Sequence, residues 1–137
     1  MASLKLVKAA LEARLVAIAS PLPTAWENVV FTPPTDGTAY QAADLLPAAP
    51  DNPTMGDGFY REQGLFQITL SYPLNGGSGP VYTKAEAIRD WFPRGMSLSS
   101  GGVTVKIPRT ATIGPKRIVQ DRFNLPITVP YYSDVFA

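Results

Sequence analysis

The sequence contains no cysteine and no histidine. The first absence rules out disulfides, thiolate zinc sites and thiol nucleophiles. The second removes the commonest general base and the commonest transition-metal ligand. Catalysis would have to run on carboxylates, lysine, tyrosine or an unassisted hydroxyl, so composition leans against an enzyme before any motif is read. Long hydrophobic runs are missing too. The stretch 4–18 is interrupted by Lys5, Lys8, Glu12 and Arg14, which fits neither a signal sequence nor a membrane span. A soluble protein made in the cytoplasm is expected. An excess of one charge is also lacking: 12 Lys and Arg stand against 11 Asp and Glu, a formal net charge of +1.

What is present is the raw material of a globular domain. The chain has 137 residues, 45% of them hydrophobic, enough to bury a core of its own as a single domain over 1–137. The 14 prolines and 11 glycines predict much loop. The charge is unevenly distributed. Residues 1–68 hold Lys5, Lys8, Arg14 and Arg61 against seven acidic side chains, whereas residues 69–137 hold eight basic against four acidic. Arg94, Lys106, Arg109, Lys116 and Arg117 follow one another with no acid between them. Such a run fits a surface for an anionic partner, either nucleic acid or an acidic protein face. Its wide spacing, without interleaved aromatics, fits solvated strand faces and turns better.

Hydrophobic periodicity gives the element order. Leu4, Val7, Leu11, Leu15 and Ile18 recur at helical spacing, predicting a helix to about residue 19 with Ser3 as its N-cap. Ser20-Pro21-Leu22-Pro23 ends it. Strands are predicted at 26–31, at 40–46 and, most clearly, at 65–72, where Phe66, Ile68, Leu70 and Tyr72 alternate with polar residues. Segment 47–61 reads as a long loop, and Asp36-Gly37 as a turn. Thr83-Lys84-Ala85-Glu86 has the spacing of a capping box and predicts a second helix to about residue 92, with Ala85, Ile88 and Phe92 inward. Further strands are expected around Val103, Val105 and Ile107, across 111–119 with a break at Gly114-Pro115, and at 123–131. Pro126 and Pro130 lie within the last of these, which predicts a partial edge position. The order describes an α+β fold, with two helices on one face of a largely antiparallel sheet.

The familiar chemical motifs fail on their spacing. No phosphate-binding loop is completed, since Lys84 after Gly79 lacks an adjacent glycine and Gly56-Asp57-Gly58 is followed by Arg61 where a third glycine is required. Asp51 and Asp57 lack the closing Glu of a calcium loop. Glu86 and Asp90 lie one helical turn apart, an ordinary surface spacing. Ser97, Ser99 and Ser100 have no histidine to activate them. No residue is assigned to catalysis, to a cofactor or to a metal.

Particular strings say more. Pro23-Thr24-Ala25-Trp26-Glu27-Asn28-Val29, Gly64-Leu65-Phe66-Gln67, Trp91-Phe92-Pro93-Arg94-Gly95, Gly101-Gly102-Val103-Thr104-Val105 and Leu125-Pro126-Ile127-Thr128-Val129-Pro130-Tyr131-Tyr132 together resemble the tail terminator, or tail completion, proteins of long-tailed bacteriophages. That family is similar in fold to the tail terminator of phage lambda, and the resemblance covers nearly the whole chain. It implies a structural virion protein of the neck region, assembled in the host cytoplasm as a homohexameric ring on the head-proximal end of the tail tube. The ring would stop tube polymerisation and meet the head connector or stopper protein, and genomic DNA would pass through its lumen. No cofactor and no membrane is implied.

Two surfaces are expected to serve such a ring. Segment 47–61, through Pro53, Met55, Phe59 and Tyr60, is expected to reach a neighbouring subunit or the tube. Some of Arg94, Lys106, Arg109, Lys116 and Arg117 are expected to meet acidic groups on a neighbour, or to line the ring near DNA. A head-side stopper, a tube protein and a DNA-binding module remain as alternatives, with a small hydrolase last.

Overall fold

The computed structural model describes residues 3–34, 38–56, 58–74 and 76–136. In chain order the elements are helix α1 (Ser3–Val16), strands β1 (Thr24–Trp26), β2 (Tyr40–Pro47) and β3 (Phe59–Pro73), helix α2 (Gly79–Trp91), then β4 (Ser97–Ser100), β5 (Val103–Lys106), β6 (Thr112–Ile113), β7 (Arg117–Val119) and β8 (Arg122–Phe136). The sheet order is β1-β2-β3-β8-β5-β4, with β6 and β7 also paired to β8. Among the described residues only the β1–β2 pair is parallel. This is the α+β fold that the periodicities predict.

Its spine is the fifteen-residue pair β3–β8, in register from Phe59 opposite Phe136 to Pro73 opposite Arg122. Side chains alternate across the pleat. Phe66, Ile68 and Leu70 of β3 therefore share one face with Leu125, Ile127 and Val129 of β8, and all six are buried. Both helices cover this face: α1 packs on β4 and β5, and α2 on β8 and β6. The helical stripes supply Val7, Leu11 and Leu15 from α1 and Val81, Ala85 and Ile88 from α2. Each large aliphatic removed from water here contributes roughly 1.5–3 kcal/mol. Leu4, expected on the same stripe, is exposed in the first turn. The helices also clamp each other. Arg14 Nε and Nη2 donate to the Trp91 carbonyl at 3.0 and 2.9 Å, and Trp91 Nε1 donates back to the Arg14 carbonyl at 2.6 Å. The guanidinium lies 3.6 Å from the centre of the indole ring, and its burial lowers the arginine pKa.

Several sequence expectations need correction. Strand β8 lies inside the strand order, and the partial edge that its prolines predict is confined to the side away from β3, where no ladder partner stands opposite Pro130. Successive residues of a strand send their backbone groups to opposite neighbours. The Pro126 carbonyl accepts from Gly114 N–H at 2.8 Å, so the ring nitrogen of Pro126 also faces the β6 side, and no bond to β3 is lost. Pro130, four residues on, faces the same way, into the break between β6 and β5 at 107–111. Helix α2 begins a turn earlier than Thr83. Ser78 is its N-cap and Pro80 occupies its first turn, where a fixed φ and a missing N–H cost nothing. Thr83 and Glu86 consequently sit exposed inside the helix, not at its start. The strand expected at 26–31 ends at Trp26. Asn28 adopts φ 58°, a conformation asparagine tolerates, and the resulting turn leaves Val29 and Val30 exposed. Helix α1 stops at Val16 instead of residue 19. The loop expected over 47–61 is shorter, because Asp51 pairs with Arg61 and β3 already begins at Phe59. The Asp36-Gly37 turn and Asp57 lie outside the described residues, as does the side chain of Ser3.

Candidate assembly surface

Among the described residues the second face of the sheet carries no helix. By register it displays Arg61, Gln63, Leu65, Gln67 and Thr69 from β3 against Asp134, Tyr132, Pro130, Thr128 and Pro126 from β8. Asp44 and Leu46 join from the β2 side, and Lys106 from the β5 side, opposite Tyr132. Charge on this face is held in place. Arg61 Nε donates to Asp134 Oδ1 at 2.7 Å and Nη2 to Oδ2 at 3.2 Å, while the guanidinium lies 4.1 Å from the Tyr132 ring centre. The hydrogen bond to Asp134 raises the Arg61 pKa further above its ordinary value. Beside this pair runs an apolar strip. Leu46 and Leu65 face each other across β2 and β3, 42% and 38% exposed, and Leu65 abuts Pro130.

Three shallow depressions lie on this face, and each takes in one of the basic residues singled out in the sequence. One of about 460 Å³ is bordered by Arg109, Arg61, Leu65 and Pro130. A second, about 340 Å³, holds Lys106 with Tyr132 and Asp134. A third, about 350 Å³, holds Arg117 with Gln67 and Asn124. The five basic residues do not form one patch. Arg94 lies in the exposed turn before β4, where Gly95 N–H and the Met96 carbonyl bond to Ile107. It therefore belongs with Lys106 and Arg109. Arg117 stands opposite Asn124, eight residues along β8 from Tyr132 and so about 26 Å away. Lys116 turns aside, 5.9 Å from the Phe123 ring centre.

The four residues expected at an interface also divide. Pro53 is exposed and Met55 fully so, within a stretch in which every residue from 46 to 56 is exposed. Phe59 and Tyr60 are half-buried, and Phe59 stacks on Phe136 with ring centres 5.0 Å apart. Sequence reading missed the Arg61–Asp134 pair, the Leu46–Leu65 strip and Tyr132. The signal was available. Extending the β3 alternation back to residue 59 puts Arg61, Gln63 and Leu65 on the face of Gln67.

One buried group behind this surface gives a pH signature. Tyr131 is 2% exposed, and its Oη has no hydrogen-bond partner among the described residues. Burial first, and the Glu62 carboxylate second, push its phenol up to about 12. The unfolded chain ionises the same group near ~10. Stability from Tyr131 is thus fully present below pH 10 and is lost as pH rises to about 12, a loss of roughly 2 kcal/mol. Tyr131→Phe should match or exceed wild-type stability by up to about 1 kcal/mol at neutral pH, and should lack this part of the alkaline decline. Urea unfolding of both proteins between pH 8 and 11.5 tests it, and parallel stability curves would count against it.

The sheet is closed by helices on one face, and among the described residues the other face carries fixed charges and an apolar strip. Comparison with known proteins specifies the class. The sequence model described as phage tail terminator protein matches residues 6–131, and the chain belongs to this family. A solved protein chain is 30% identical in sequence and superposes with a TM-score of 0.78, the match covering 100% of this chain and 99% of that one. No curated protein gives a match. The family is one of structural virion proteins, and membership places the chain in the phage tail, in contact with other tail proteins. Among the described residues no helix is long and apolar enough to cross a membrane.

Proposed function

We propose that the protein closes into a six-fold ring on the head-proximal end of the tail tube. The ring stops tube polymerisation and joins the tail to the head connector or stopper protein, and genomic DNA passes through its lumen. Assembly takes place in the host cytoplasm. Family membership over 6–131 carries this reading, and the geometry supports it. A cyclic ring needs two unlike patches that meet head to tail, and this sheet ends in two different strands, β1 and β4. The exposed stretch around Pro53 and Met55 is an arm that reaches a neighbour or the tube, with Phe59 and Tyr60 at its root. Of the basic residues, Arg94, Lys106 and Arg109 suit a protein neighbour, whereas Lys116 and Arg117 are placed apart from them. Electron microscopy of purified tails tests the reading. Six-fold density for this chain at the head-proximal end supports it, and its absence from tail ends refutes it.

A further inference from the structure

Acidic and basic side chains gather toward different ends of the sheet, Asp44 and Asp51 along β2 and the chain that continues it, and Arg94 and Lys106 at the open end of the β4–β5 hairpin. At one end, β1 covers only Gln41–Ala43 of β2, so the outer edge of β2 from residue 44 onward is open among the described residues. The chain keeps alongside β3 past the end of β2: Ala48 N–H donates to the Gln63 carbonyl at 2.9 Å, and Asp51 exchanges backbone bonds with Arg61 at 2.9 and 2.8 Å. This edge presents Asp44 and Asp51. At the other end, β4 closes the strand order and has no outer neighbour among the described residues. Ser97 and Ser99 are exposed there. Ser97 lies opposite Lys106. Arg94 precedes this end of the β4–β5 hairpin, and Arg109 follows it, reaching the depression it shares with Arg61 and Leu65. Residues 91–120 contain no acidic side chain. Asp134, the nearest carboxylate on β8, is already bonded to Arg61. Among the described residues the ion pairs are Lys8–Glu12 and Arg61–Asp134. Asp51 shares the field of Arg61 without an ion pair, and Asp44, Arg94 and Lys106 are in none of these pairs.

We propose that the occupant of each edge is a second copy of this chain. The basic β4 edge of one subunit, with Arg94, Lys106 and Arg109, lies against the acidic β2 edge of the next, with Asp44 and Asp51. This inference rests on the ring reading and assigns its contact. Open strand edges are ready templates for another chain. Opposite charge at the two ends favours β2 against β4 and disfavours β2 against β2 or β4 against β4. The contact is therefore heterologous and repeats head to tail around the ring.

A charge swap tests it. One variant carries Asp44→Lys and Asp51→Lys; another carries Arg94→Glu, Lys106→Glu and Arg109→Glu. Each alone sets like charge against like, and should lose at least tenfold in ring occupancy of tail-tube ends by electron microscopy while remaining folded by circular dichroism. Mixed in equal amounts, each altered edge meets an opposite one. Rings alternating the two variants should then return to within about twofold of wild type, and an even-numbered ring permits this alternation. Glu86→Lys, exposed on α2 where that helix packs on β8 and β6, should leave occupancy unchanged. Wild-type occupancy by either variant alone, or no recovery from the mixture, overturns the edge assignment even if wild-type protein forms rings. Failure of wild-type protein to form rings at all overturns the ring reading instead.

Discussion

Gly64→Ala is expected to destabilise the protein by about 3 kcal/mol, lowering its thermal midpoint on the order of 10 °C. Gly64 pairs with Pro47 on one side and Tyr131 on the other. A Cβ added there would stand 2.5 Å from the Leu46 carbonyl oxygen, 2.9 Å from Pro47 Cα and 2.8 Å from the Tyr131 hydroxyl. Two of these atoms are backbone in a strand already held in register, so they cannot move aside as the tip of a flexible side chain would. The glycine lets the Tyr131 side chain lie over the β3 backbone, which places its hydroxyl in the buried position that raises its pKa. Gly58→Ala is the control. A Cβ there meets nothing within 4 Å, and its cost should stay within about 0.5 kcal/mol. Thermal and urea unfolding of the two variants compares them directly, and equal stability would mean that the packing at Gly64 yields more easily than its neighbours indicate.

The second large effect falls on assembly and not on stability. Met55→Asp should leave the thermal midpoint within about 2 °C of wild type, since the side chain touches little of its own protein. It should nevertheless weaken tube-end binding about 30-fold, the loss of an apolar anchor of about 2 kcal/mol. The reason is the setting of Met55. It is fully exposed in a stretch where every residue from 46 to 56 is exposed, and Pro50 and Pro53 limit the conformations that binding must freeze out. Methionine adapts to irregular apolar surfaces. Binding of the variant to tube ends at the wild-type level would remove this arm from the interface.

Much of the fold was legible in the sequence, and the failures have physical causes. Ala85, Ile88 and Phe92 were read correctly as inward, because helical period alone decides which residues share a face. The alternation from Phe123 to Tyr131 likewise identified a strand. Its place in the sheet was not legible. Pro126 and Pro130 argue for an edge unless their missing amides point away from β3, toward the end of β6 and the gap beside it, and only the positions of β5 and β6 reveal that arrangement. The start of α2 was misplaced because Thr83-Lys84-Ala85-Glu86 satisfies a local rule, while Pro80 satisfies another a turn earlier. The early end of β3 went unread because Gly64 interrupts the pattern of apolar residues. The candidate site was less legible than the fold. Arg109 and Lys106 were chosen for their charge, and the structure brings them beside Arg94. Arg117 was chosen on the same grounds and lies far along β8. Sequence separation alone cannot give that distance, because the strands that carry these residues all pair with the single strand β8.

If this protein ends a tail tube, then purified protein added to tail-tube subunits during polymerisation will limit tube length and occupy tube ends, both measured by electron microscopy. Tubes are expected to stop growing once the protein is present, with one six-fold ring at a single end of each. Tubes that grow on by incorporating the chain along their length would make it a tube subunit, and tubes of unchanged length with bare ends would contradict the account outright.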